Sequence, residues 1–280
     1  MIITNGIALN LVDYGGDGPT LLLAPGLTAN ARAFDALAAA LDGRVRLLAI
    51  DLRGRGLSDQ PVVGYTFADH AADIVGLLDA LGIERAHLGG HSFGGLLALY
   101  LAAHSPQRVA RLALLDAAVG VANSGVYALI KPAIDRLGVV YPSWDAYLAH
   151  MRAAAVYDGW WDPAIETYYR ADIRELADGT VTPRTHPATI AACVAASRAE
   201  DWAALAARVA APTLVLRAPG GYGPPGTPAI VAESQLAATR AAIRDCRTIE
   251  VPGNHATMLY GAGAAACAAA LVTFLHQSAQ

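Results

Sequence analysis

One stretch limits what this chain can fold into. An apolar run begins at Ala86, meets Gly90-His91-Ser92-Phe93-Gly94, and gives way to an Ala- and Leu-rich run ending near His104. The first run reads as a buried strand and the second as a buried helix. A strand that turns directly into a helix brings two backbones together, and the flanking glycines leave room for that approach. Ser92 then sits at the tip of a strained turn with its hydroxyl exposed. The Phe93 N–H points the same way, at a helix N-terminus where partial positive charge gathers. A G-x-S-x-G pattern by itself often marks an ordinary loop with a capping serine. Its place between strand and helix points to a nucleophile elbow.

The rest of the chain repeats strand and helix in alternation. Residues 2–7 and 8–14 are predicted as strands, with a turn signal at Asn5-Gly6. Further strands are predicted over 20–24, 45–50, 111–115, 213–217 and 247–251, with helices over 32–41, 67–81, 229–243 and 262–275. Such alternation predicts an α/β fold: a mostly parallel central sheet with helices on both faces. Functional groups in these sheets collect at the carboxyl ends of the strands. Leu27, Asp51, Ser92 and Asp116 all lie just past predicted strand ends.

Between residues 118 and 207 the rhythm changes. No strand-like run is evident, prolines interrupt helical segments, and most of the aromatic residues gather here. This predicts a helical cap over 118–207, inserted into a core formed by 1–117 and 208–280. The aromatic residues at helical spacing either form the cap's own core or, as with Tyr157, Trp160 and Trp161, line a substrate cavity.

Composition narrows the function classes. The chain has 280 residues, 55% of them hydrophobic, enough for one large core. Its net charge of −4, with no basic stripe, argues against a nucleic-acid partner. Cys193, Cys246 and Cys267 are isolated, which argues against a disulfide framework and against a zinc site. Cys267, in an Ala-rich helical run, reads as a small core residue. No apolar stretch reaches membrane-spanning length and no leader is evident at the N-terminus, so a cytoplasmic enzyme without a membrane partner is expected.

A serine hydroxyl needs a base to take its proton, and histidine suits that task near neutral pH. Of eight histidines, His255 lies just after the last predicted strand, in Val251-Pro252-Gly253-Asn254-His255. His91 adjoins Ser92 but cannot fold back onto its Oγ. An attacked carbonyl also needs two donors for its developing oxyanion. Phe93 N–H is one, and Leu27 N–H, after Pro25-Gly26, is the other.

Together, the order of elements, Gly90-His91-Ser92-Phe93-Gly94, Pro25-Gly26, the segment Asp51-Leu52-Arg53-Gly54-Arg55-Gly56-Leu57-Ser58 and Gly253-Asn254-His255 resemble the α/β-hydrolase superfamily over nearly the whole chain. The Asp51 segment is similar to the D-x-R-G-x-G-x-S loop of its capped members and implies a structural role. The family often has His-Gly where this chain has Pro25-Gly26. The triad acid usually follows the strand at 213–217, yet residues 218–228 contain no carboxylate. Some members place the acid at the position of Asp116. Glu233, or no carboxylate at all, is the alternative.

The resemblance implies a serine hydrolase of a small apolar carboxylic ester or lactone. Ser92 attacks, His255 shuttles the proton, Asp116 orients the ring, and no metal or organic cofactor is needed. The same residues suit thioester cleavage, C–C cleavage beside a carbonyl, or perhydrolysis. A serine nucleophile argues against epoxide and haloalkane chemistry. A non-catalytic ligand binder on the same fold is the alternative from a different class.

Overall fold

A computed structural model describes residues 1–277. Three short strands open the chain: β1 (Ile2–Thr4), β2 (Ile7–Leu9) and β3 (Leu11–Asp13). The first two form an antiparallel hairpin around the Asn5-Gly6 turn, and β3 leaves it to join the main sheet. The chain then alternates through β4 (Thr20–Ala24), α1 (Asp35–Leu41), β5 (Arg46–Ile50), α2 (Phe67–Ala80), β6 (Ala86–His91), α3 (Phe93–His104) and β7 (Val109–Leu115). Helix α2 starts in a capping box between Thr66 and Asp69 and buries Ile74, Leu77 and Leu78 on one face. Helix α3 is buried nearly all round, as its uniform Ala and Leu content demands.

Residues 118–207 carry α4 (Val126–Leu129), α5 (Lys131–Asp135), α6 (Trp144–Arg152) and α7 (Pro163–Asp172). A two-stranded antiparallel ribbon, β8 (Ile173–Glu175) and β9 (Val181–Pro183), follows, then α8 (Pro187–Ala199) and α9 (Trp202–Ala207). The ribbon corrects the all-helical expectation for this segment. Its strands have three residues each, too few for a period to show in sequence. The chain closes through β10 (Thr213–Arg217), α10 (Glu233–Ala242), β11 (Cys246–Glu250) and α11 (Gly261–Leu275). Helix α10 begins four residues later than its sequence pattern predicts, because Ile230 and Val231 are drawn into the core as extended chain.

The seven-stranded sheet has the order β11-β10-β7-β6-β4-β5-β3, parallel except for β3. Its central strands are buried on both faces and read as continuous apolar runs. Apolar clusters lie on either side, one around Phe67, Phe93 and α3, the other around Phe34 and α11. Strands β4, β6 and β7 are neighbours, so the loops after them open side by side at one end of the sheet. Among the described residues no helix is long and apolar enough to cross a membrane.

Candidate active site

Ser92 follows β6 directly, with φ 55° and ψ −118°. This left-handed backbone is costly for a residue with a Cβ and is held by its surroundings. A Cβ at Gly90 would overlap the Gly94 backbone, and one at Gly94 would overlap the Ala24 carbonyl, so only glycine fits either flank. The Ser92 N–H donates to Leu115 O at 2.9 Å, pinning the turn to β7. The Ser92 hydroxyl makes no hydrogen bond to any described residue and faces a cavity that His255 also lines.

Asp116 directly follows β7, likewise in the left-handed region at φ 47°. It is fully buried. Its Oδ2 accepts from His255 Nδ1 at 2.6 Å, and its Oδ1 accepts from the Ala218 N–H at 3.1 Å. With Nδ1 as donor, the Nε2 of a neutral His255 is the basic nitrogen. Glu233 instead lies on α10, where its exposed carboxylate pairs with Arg217 at 2.7 Å. Of the two carboxylates considered from sequence, the structure brings Asp116 to the imidazole.

The His255 loop follows the edge strand β11, two strands from β7, and several bonds carry it inward. Gly220 N–H donates to Gly253 O at 3.0 Å, and Asn254 Nδ2 donates to Val156 O at 2.7 Å. His91 Nε2–H donates to the His255 carbonyl at 2.7 Å, and the two rings lie 4.4 Å apart. Burial, and secondarily the nearby His255, hold His91 well below the usual imidazole value, so it is a neutral donor. Sequence reasoning ruled out His91 as the base and did not find this bracing contact.

Leu27 and Phe93 flank Ser92 from the loops after β4 and β6. Neither backbone N–H has an acceptor among the described residues. Two uncommitted donors beside a nucleophile suit an oxyanion hole. The loop carrying Leu27 is gripped through its carbonyls: Arg55 Nε donates to Leu27 O at 3.1 Å and Arg136 Nη2 to Thr28 O at 3.2 Å.

The cavity and its solvent-open mouth together take up about 650 Å³. Tyr157 lines it, with its hydroxyl 2.8 Å from that of Tyr169. Trp160 and Trp161 do not, which corrects their placement as substrate-binding residues. Trp160 is 43% exposed. Trp161 packs edge-on against Tyr157, beneath the Arg152 guanidinium. Both follow a short turn after Tyr157 rather than continuing its helix, so helical spacing misplaced them.

Arg136, Tyr168, Tyr222 and Tyr260 also line the cavity. Arg136 is buried and donates to Asp172 and, at 3.0 Å, to Tyr147 Oη. Tyr222 stands in the acid-free loop after β10, its ring edge-on to His255 at 5.7 Å. Burial pushes its phenol up to about 12, so the hydroxyl stays protonated as a donor. The Tyr222 and Tyr260 hydroxyls have no hydrogen-bond partner among the described residues.

Residues 19–175 match the family model described as alpha/beta hydrolase fold. A 110-residue stretch is 39% identical to the 2-(acetamidomethylene)succinate hydrolase of Mesorhizobium japonicum, covering 39% of each chain. The match thus spans about two fifths of that relative. A solved structure of E-2-(acetamidomethylene)succinate hydrolase superposes over 98% of this chain and 97% of its own, at TM-score 0.84 and 26% identity. The enol-lactonase from Burkholderia xenovorans LB400 superposes over 98% of both chains, at TM-score 0.70 and 25% identity.

Proposed function

Since this chain belongs to the alpha/beta hydrolase fold family, we propose that it is a serine hydrolase acting on a small acyl compound that carries a carboxylate. Ser92 attacks the carbonyl carbon while His255 takes the hydroxyl proton. Asp116 holds the ring and stabilises the imidazolium. The N–H groups of Leu27 and Phe93 receive the oxyanion, His255 returns the proton to the leaving group, and water then releases the acyl group from Ser92. Residues 118–207 act as the cap over this site.

One observation carries the reading: a serine held in a strained elbow shares a cavity with a histidine whose Nδ1–H is bound by a buried carboxylate. The substrate class is more polar than an apolar ester. The Tyr222 and Tyr260 hydroxyls line the cavity as donors without a protein partner, beside the Arg136 guanidinium that Asp172 holds, and donors of this kind fit a carboxylate. The succinate in the first relative's name and the lactone in the last neighbour's support an acidic substrate with an amide, lactone or ester bond.

The test compares 4-nitrophenyl acetate with mono-4-nitrophenyl succinate. The charged ester should show a kcat/KM at least about tenfold higher, the worth of one charge-assisted hydrogen bond. The double variant Tyr222→Phe/Tyr260→Phe should remove most of that preference. Equal rates on both esters would sink the carboxylate assignment, and failure of Ser92→Ala to abolish turnover would sink the hydrolase itself.

A further inference from the structure

Arg55 stands in the Asp51–Ser58 segment and is 0% exposed. Its donors go to Leu27 O at 3.1 Å, Arg53 O at 2.8 Å, His70 Nε2 at 3.3 Å and Cys193 Sγ at 3.1 Å. The His70 Nδ1–H is committed to Thr66 O at 2.8 Å, which leaves Nε2 as an acceptor. Among the described residues no carboxylate lies within ion-pair distance of Arg55. The buried acids close to it in sequence are taken: Asp73 is bound by Arg53 through two bonds, at 2.5 and 2.6 Å. Asp51 accepts from the Ala31 and Leu57 N–H groups and from Asn10.

A buried guanidinium surrounded by acceptors but without an anion is expensive to keep, and a neutral residue would avoid that cost. Its position explains what it does. Its Nε–H fixes the carbonyl of Leu27, and its Cζ lies 5.5 Å from the centroid of the Phe93 ring. These are the two residues whose N–H groups flank Ser92. Arg53, two residues earlier, is fully neutralised by Asp73 and touches neither.

We propose that Arg55 is a positioning residue of the oxyanion hole, supplying an uncompensated buried charge behind both donors. This rests on the serine-hydrolase reading above. When negative charge grows on the substrate oxygen, the field of Arg55 stabilises it, and low polarity around the group preserves that field. The neutral substrate gains little from the same field, so the contribution falls on kcat and not on KM.

The experiment measures labelling by a fluorophosphonate probe and turnover of 4-nitrophenyl acetate for wild type, Arg55→Gln and Arg55→Lys, with melting temperatures recorded. Arg55→Gln keeps an N–H donor but removes the charge. It should slow labelling and kcat by about 10- to 100-fold, below the loss for a direct oxyanion donor, with KM within about twofold. Arg55→Lys keeps the charge and should stay within about fivefold of wild type, since the long-range field survives. Wild-type labelling by folded Arg55→Gln overturns the proposal, as does folded Arg55→Lys labelling as slowly as the Gln variant. Should Arg55→Gln not fold, Arg55→Lys decides alone, and a loss of about 100-fold, the scale of a lost donor, overturns it. A wild type that does not label at all overturns the hydrolase reading itself, and this inference with it.

Discussion

Asp116 Oδ2 and His255 Nδ1 meet at 2.6 Å across 139 residues of chain. The carboxylate comes from β7, beside the strand that carries Ser92, and the imidazole arrives from beyond the sheet edge. A buried carboxylate in that position fixes both the tautomer and the direction of the ring. Asp116→Asn should therefore lower kcat by a factor on the order of 10⁴. Glu233→Gln, which only loosens an exposed pair with Arg217, should change it by less than twofold, about the worth of a surface ion pair. Steady-state kinetics on both variants check this, and equal effects would reject Asp116 as the acid.

The left-handed backbone at Ser92 stores strain of about 1–3 kcal/mol. Glycine adopts φ 55° without that cost, whereas alanine does not. Ser92→Gly should consequently melt above Ser92→Ala, by an amount equivalent to about 1 kcal/mol, while both lose probe labelling. Thermal denaturation of the two inactive variants provides the comparison. An equal or lower melting temperature for the glycine variant would show that the elbow is relaxed.

Acid should destabilise the fold through its buried neutral histidines. Burial, and then the Arg55 charge, pull His70 down to about 3, and burial holds His91 well below the usual value. The unfolded chain protonates these rings near pH 6.5, while the folded chain does not. Stability is thus fully present above that value and falls as pH drops through it towards the folded-state values. Each ring contributes a slope of up to about 1.4 kcal/mol per pH unit. Urea titrations between pH 7 and 5 should show a shallower loss for His70→Gln than for wild type. Parallel curves would contradict the buried neutral state.

Trp160→Ala should leave substrate preference unchanged and shift stability by no more than about 0.5 kcal/mol, as for an exposed residue outside any special contact. Tyr222→Phe should raise KM for a carboxylate-bearing ester about tenfold, the loss of one hydrogen bond to a charged group, with kcat little altered. Kinetics on both variants separate the exposed ring from the one facing His255. A changed preference in the tryptophan variant would return it to the site.

The sheet and the elbow were legible because their signals are local: buried strands of β-branched and leucine residues, glycines around Ser92, and the capping box at Thr66. His255 and Asp116 could be found as residues just past strand ends, where functional groups of a parallel sheet collect. Arg136, Tyr222 and Arg55 could not. Each acts through a contact to a chain-distant group, as Arg136 does with Thr28 and Arg55 with Leu27 and Cys193. Residue spacing carries no trace of such contacts. Trp160 and Trp161 were misplaced for the opposite reason, because aromatic clustering is visible in sequence while the direction of each ring is not.

The loop over residues 218–228 has no acid to present, yet it hangs Tyr222 beside His255. Under the proposed mechanism an acid there would tie the length and angle of the loop to the imidazole. With that duty at the end of β7, the loop is released from it, and bond-breaking and ligand choice are encoded in separate stretches of chain. A different loop grafted between Gly221 and Ile230, which spares the Ala218 bond to Asp116 and the Gly220 bond to Gly253, is therefore a route to a new substrate range that leaves Ser92, His255 and Asp116 where they stand.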